Sequence, residues 1–269
     1  MKNVGFYYQV WHTNKLSIFE AMKRLRSVYP DNEVVLVIAG LSKDSVTEYE
    51  NDFVNIIKSK FNITTIDYLF IEDSPYMAKC ILNVPEQESK REEYMKFSHL
   101  WFDKFVFLPS ENMDVVVNCS DDWYPITQIP IDYDVDVCGR LTPWSDWMEE
   151  EKMKSKFNFS KNELVTWIQH GHYMNIKKLK QKYTEENKKY IDDVVRDVFP
   201  SNLPIFLDYF HSLWNVVAFD TFKSADHIHE VGAFKINYEE DNHGFPSIHG
   251  GKGLHFLPIS EEMIQLGIK

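Results

Sequence analysis

The segment KLSIFEAMKRLRSVYPDNEVVLVIAG, residues 15–40, changes its hydrophobic period halfway along. In its first part Leu16, Phe19, Met22, Leu25 and Val28 recur at every third position. That is one face of an amphipathic helix, and Pro30 ends it. In its second part EVVLVIAG (33–40) is a continuous apolar run stopped by glycine, the pattern of a parallel strand buried on both faces. Upstream, NVGFYYQVW (3–11) is aromatic and β-branched and reads as a buried first strand. Strand, helix and strand within forty residues make a βαβ unit.

Outward from this unit the alternation continues. A second helix is expected over 44–61, a third strand over 64–72, and an amphipathic, aromatic helix over 88–108. The latter feeds a strand at 114–118, with another short strand at 135–141. The pattern predicts an α/β fold with an open, mostly parallel central sheet and helices on both faces. In the second half, 145–165 and 176–198 are charged and helical in pattern, with YTEENKKY (183–190) a solvated face. PIFLDYFHSLWNVVAF (204–219) reads as a buried helix, and 238–258, rich in Gly, His and Pro, as a functional loop. No internal repeat or low-complexity linker divides the chain. Residues 1–269 therefore read as one domain whose C-terminal half closes over the sheet edge.

Composition narrows the function classes. With 269 residues, 44% of them hydrophobic, the chain can bury a full core. A net charge of −12 disfavours nucleic acid and anionic membrane as generic partners, because phosphate binding needs a cationic surface. Three cysteines (Cys80, Cys119, Cys138), none in a CxxC pair, point away from a disulfide framework or a thiolate zinc site and toward a reducing compartment. The N-terminus is too polar for a signal peptide, and no run approaches the roughly 18 apolar residues of a transmembrane span. The expectation is a cytoplasmic protein.

Three clusters carry chemistry. In MDVVVNCSDDWYP (113–125) a β-branched run ends in the adjacent carboxylates Asp121 and Asp122. Adjacent carboxylates repel unless a cation lies between them. At the carboxyl end of a strand such a pair suits Mg²⁺ or Mn²⁺, with an Asx turn as the plain structural alternative. In SIHGGKGLHF (247–256) three glycines let the backbone approach a ligand, and Lys252 offers a mobile charge for phosphate. His249 or His255 offers imidazole to a metal, although the glycines could equally form a simple flexible loop. Asp208, flanked by Ile, Phe, Leu and Tyr, would have a raised pKa if buried, as a general base needs; it reads equally as a surface charge on a buried helix. His170 and His172 would share a face on a strand, where packing is the commoner role. No GxSxG or HExxH motif is present.

The order of these parts resembles nucleotide-sugar glycosyltransferases of the GT-A fold. The segment 14–40 looks like the family's first βαβ unit. YMKFSHLWFDKFVF (94–107) followed by VVVNCSDDW looks like the helix and strand leading into its DxD-type metal motif. HGHYMNIKKL (170–179) is similar to the acceptor-side segment. Two positions depart from the pattern. The end of the second strand reads Ala39-Gly40-Leu41 where many members carry an acid, and the metal motif reads Ser120-Asp121-Asp122.

The resemblance implies a nucleotide-sugar-binding half, 1–141, and an acceptor-binding, closing half, 142–269. It implies that Asp122 and His249 hold Mn²⁺ or Mg²⁺, and that Tyr7, Gln9, Asn14, Gly40, Lys96, Ser120, Asp121 and Lys252 line the donor. Asp208 would be the base of an inverting transfer. The donor would be a nucleotide-diphosphate sugar, UDP first, carrying a hexosyl or pentosyl group. The acceptor would be a hydroxyl of a glycan or glycoconjugate. Tyr7, Tyr8, Trp11, Trp123 and Trp144 could stack on a base or sugar, though most of so many aromatics must be core. Two alternatives stand beside this reading: a nucleotidyltransferase, which would be expected to carry a glycine-rich loop after the first strand, and a non-catalytic carbohydrate-binding protein.

Overall fold

Strand β1 (Val4–Trp11) sits between two parallel neighbours, β2 (Val34–Leu41) and β4 (Val115–Ser120), and every residue of β2 and β4 is buried. A computed structural model describes residues 3–73, 99, 103, 111–139, 141–143, 165–168, 171–198, 222–224, 228–231, 243–250 and 257–269. Parallel strand β3 (Thr65–Phe70) joins β2. On the other flank β9 (Tyr173–Asn175) pairs antiparallel with β4 and with β6 (Val137–Gly139), and β10 (Phe222–Ser224) lies parallel to β6. The resulting seven-stranded order is β10-β6-β9-β4-β1-β2-β3. A three-stranded sheet, β11 (Ile228–Val231), β12 (Ser247–Gly250) and β5 (Trp123–Pro125), and a ribbon of β7 (Leu141–Pro143) with β8 (Val165–Ile168) complete the strands described.

Period two on β1 divides its side chains. Phe6, Tyr8 and Val10 enter the main core, under helix α1 (Lys15–Val28), while Tyr7 is buried outside that cluster. The helix buries Leu16, Ile18, Phe19, Met22 and Leu25. Each such side chain contributes roughly 1.5–3 kcal/mol when fully buried, so packing rather than helix propensity holds α1 in place.

The segment expected as one helix over 44–61 is compound. A 3₁₀ turn, Lys43–Ser45, leads into α2 (Val46–Tyr49), a π turn, Glu50–Val54, and α3 (Asn55–Phe61). The sequence explains the wide turn. Buried Tyr49, Phe53, Ile57 and Phe61 are each four apart. At 3.6 residues per turn such a row drifts by about 40° per step, and a π turn returns it to the sheet. Asn62 closes α3 in the left-handed conformation (φ 46°). Arg26 ties the ends of α1 and α3 together, donating to the carbonyls of Phe61 (2.5 Å), Tyr29 (3.0 Å), Asn32 (2.8 Å) and Asn62 (2.8 Å).

Helices α4 (Ile176–Lys182), α5 (Glu185–Val198) and α6 (Glu261–Gln265) follow. Side-chain caps at Asn175 and Ser260 start α4 and α6. His99 fastens onto α5 through Asp192 (2.9 Å) and lies 3.2 Å from the Tyr183 hydroxyl. Apart from His99 and Asp103, the helix expected over 88–108 lies outside the described residues, as does that over 204–219. Three expectations change. The strand expected at 114–118 runs on to Ser120, because its ladder with β1 continues to the pair Gln9 and Ser120. The stretch 135–141 is two short strands, β6 and β7, rather than one. Within the expected loop 238–258, residues 247–250 form strand β12, since Ser247 and Ile248 are buried against β5. Among the described residues no helix is long and apolar enough to cross a membrane.

Candidate active site

The acidic pair sits in the turn between β4 and β5. Immediately after it Trp123 is fully buried, its ring 6.1 Å from Phe6 and 6.2 Å from Tyr8. This anchor fixes the turn at the rim of the sheet. It also makes Trp123, like fully buried Tyr7 and Tyr8, a core residue rather than a surface for stacking. Strand β5 then pairs antiparallel with β12, in a register that sets His249 opposite Trp123. The Gly250 amide donates to the Asp122 carbonyl at 3.0 Å, with Gly250 at φ 119°. The Tyr124 hydroxyl donates to the Asp121 carbonyl at 3.2 Å.

These backbone contacts bring an early and a late segment together. Asp122 Oδ1 lies 3.4 Å from His249 Nε2 and accepts a hydrogen bond from Ser120 Oγ. Ser120, Asp121 and Asp122 are 8%, 7% and 6% exposed, so two carboxylates share one desolvated corner. Such burial is costly without compensating donors or a cation. Among the described residues no group of three His, Cys, Asp or Glu side chains is gathered tightly enough to hold a metal. The donor chemistry nevertheless fits one: carboxylate oxygen and imidazole nitrogen are ligands for Mn²⁺. Two donors bound side by side to one cation at about 2.1 Å sit about 3 Å apart, close to the observed 3.4 Å.

The other wall is the carboxyl end of β1 and β2. Gln9 is half-buried beside Ser120 in the β1–β4 ladder. Asn14 is the N-cap residue of α1. Gly40 has φ 81° at a bulge in β2, and the Trp11 indole rests where its Cβ would stand, 2.4 Å from that position. The departure at 39–41 thus has a local cause: only glycine admits both the left-handed backbone and the ring above it.

Around this edge opens a cavity of about 430 Å³ lined by His12, Thr13, Lys15, Leu41, Glu48 and Tyr49, among others. The Tyr49 hydroxyl donates to the His12 carbonyl at 2.8 Å. Its pKa is pushed well up, chiefly by burial, with neighbouring Tyr68 and the charge of Asp121 adding to it. His12 Nδ1 lies 3.3 Å from the Ala39 carbonyl, and burial lowers the pKa of this imidazole. Lys15 Nζ stands 5.6 Å from the centre of the Tyr49 ring.

Of the residues singled out from sequence, the fold brings Gln9, Ser120, Asp121, Asp122 and His249 to one edge. Lys96, Asp208, Lys252, His255, His170 and Trp144 lie outside the described residues. His172 is buried just before β9, its carbonyl accepting from the Asn118 amide at 2.8 Å. Sequence reading passed over His12, Lys15 and Tyr49. The available signal was the polar run His12-Thr13-Asn14-Lys15 directly after a buried strand in a βαβ unit, where ligands collect.

No protein-family model matches the sequence, and no curated protein matches it either. Solved structures do. The bifunctional glycosyltransferase WbbM aligns at 10% identity and a TM-score of 0.53, over 92% of this chain and 45% of its own, so the present chain spans less than half of that protein. Galactosyltransferase LgtC, solved with donor and acceptor sugar analogues, aligns at 10% identity and 0.52 over 97% of this chain and 99% of its own. Mouse xyloside xylosyltransferase 1 aligns at 8% and 0.51, over 96% and 100%. The chain thus has the fold of the GT-A glycosyltransferases, a mostly parallel central sheet flanked by helices.

Proposed function

We propose that the protein is a metal-dependent glycosyltransferase, moving a sugar from a nucleotide-diphosphate donor, UDP first, to a hydroxyl of a glycan or glycoconjugate. The observation that carries this reading is the 3.4 Å approach of Asp122 Oδ1 and His249 Nε2 at the carboxyl edge of the sheet. A divalent cation there, Mn²⁺ or Mg²⁺, would supply positive charge to a diphosphate as it leaves.

The chain's own residues take the remaining roles. Asp122 and His249 would hold the cation. The nucleoside would lie along the edge formed by Gln9, Asn14 and the cavity after β1 and β2, with the His12 ring and Tyr49 as its walls. Lys252, two residues beyond Gly250, would meet the diphosphate. In the transfer the bond from the anomeric carbon to the phosphate oxygen breaks and a bond to the acceptor oxygen forms. The acceptor proton passes to a base, for which Asp208 is the candidate in an inverting reaction. The low cysteine content, three in 269 residues with no CxxC pair, fits action in the cytoplasm.

The test is a thermal-shift screen of UDP-, GDP- and CDP-sugars with and without Mn²⁺, followed by assay of free nucleoside diphosphate. A ligand of the native state raises Tm by mass action. The expected result is a metal-dependent shift with one nucleotide class, lost in Asp122→Ala. Binding of glycans alone, unchanged in that variant, would instead make the protein a lectin-like binder on a transferase fold.

A further inference from the structure

We propose that Ser120 is a positioning residue that sets the Asp122 carboxylate for cation capture, in place of contacting the donor itself; the inference rests on the metal-dependent reading above. Three observations carry it. Ser120 is the last residue of β4 and is fixed by its ladder pairing with Gln9. Its hydroxyl donates to Oδ1 of Asp122 two residues later, with both side chains more than nine-tenths buried. The same Oδ1 faces His249 Nε2 at 3.4 Å.

Two neighbours thus converge on one carboxylate oxygen. A serine hydroxyl has a single proton to give, and giving it to Oδ1 fixes the plane and rotamer of the carboxylate. Its backbone is already held by the Gly250 amide. The atom that meets the imidazole is thereby pinned from both sides before a cation arrives. Hydrogen-bond partners of ligating carboxylates act this way, and their loss commonly lowers metal affinity 10–100-fold. A third carboxylate at position 120 would add charge to a corner that already buries two. A hydroxyl adds orientation without charge.

The experiment uses the full chain and Mn²⁺ alone, titrated with free Mn²⁺ followed by electron paramagnetic resonance. Ser120→Ala should weaken Mn²⁺ binding about 10–100-fold. Ser120→Cys, similar in size but a poor donor, should do the same. Ser120→Thr, which keeps the hydroxyl, should return affinity to within about threefold of the parent. All three should melt near the parent temperature without metal, which a merely structural role for Ser120 would not give together with the threonine rescue. If Asp122→Ala abolishes binding while Ser120→Ala and Ser120→Cys bind like the parent, the inference is overturned and the cation site stands. If Asp122→Ala leaves binding unchanged, or the parent binds no Mn²⁺, the metal reading falls and takes this inference with it.

Discussion

Replacing Gly40 by alanine tests the geometry of the candidate site without touching a charged group. Gly40 has φ 81°, and a Cβ there would lie 2.4, 2.5 and 2.8 Å from three atoms of the Trp11 six-membered ring. The backbone term is about 1–2 kcal/mol for an L-residue in the left-handed region. The steric term depends on whether Trp11 can move. It is the far edge of the ring that collides, so the indole can swing outward and lose its seat on β2. Overpacking of this kind costs about 1–3 kcal/mol. The Gly40→Ala variant should therefore be destabilised by about 2–5 kcal/mol, or about 4–20 °C in Tm at this size. Urea melts followed by far-UV circular dichroism give the stability change. Tryptophan fluorescence gives the displacement, as a red-shifted contribution from the freed indole. A double-mutant cycle separates the terms: in a Trp11→Ala background only the backbone cost should remain, leaving a coupling equal to the steric term, about 1–3 kcal/mol. A Gly40→Ala protein as stable as the parent with an unchanged emission spectrum would refute the placement of Trp11 over Gly40. Equal destabilisation in both backgrounds would refute the steric half of the argument.

Arg26→Ala should cost about 2–4 kcal/mol, because four backbone carbonyls at the ends of α1 and α3 lose a charged donor at once; chemical denaturation measures it, and a loss below about 0.5 kcal/mol would sink the claim. Ser17→Ala should go the other way: the Ser17 hydroxyl is fully buried with no hydrogen-bond partner among the described residues, so its removal should be neutral or stabilising by up to about 1 kcal/mol. His12 should give a pH signature. Its folded pKa lies below 6.5 because burial disfavours the imidazolium, so the folded state binds fewer protons than the unfolded state between those two values. Its contribution is complete above pH 6.5 and is lost as pH falls through the folded pKa. Melting curves of the parent and His12→Gln should diverge in slope over that window, and parallel curves would refute the assignment.

Local periodicity made the first three strands and α1 legible, since β1, β2 and the three-residue spacing of α1 each carry their pattern within fifteen residues. It also held the π turn, in the four-residue spacing of Tyr49, Phe53, Ile57 and Phe61, but a helix reading absorbs that spacing unless the drift is counted. The second sheet was illegible for a different reason. Strands β5 and β12 have three and four residues and pair across more than a hundred positions, too short for a period and too distant for a turn signal. The cavity at His12 and Tyr49 was hidden likewise, because its walls come from two βα connections that meet only when β1 and β2 align.

This division bears on the candidate site itself. The residue types at 120–122 and 249 could be read one by one, but their meeting depends on a register, and the register depends on Trp123. Were Trp123 not seated between Phe6 and Tyr8, β5 could slide along β12, and a slip of one residue would turn His249 to the opposite face. The bond from the Gly250 amide to the Asp122 carbonyl would be lost in the same step. The chemistry at this edge therefore hangs on an apolar side chain seated in the core between Phe6 and Tyr8. A substitution such as Trp123→Leu should separate Asp122 from His249 while every polar residue of the corner remains in the sequence.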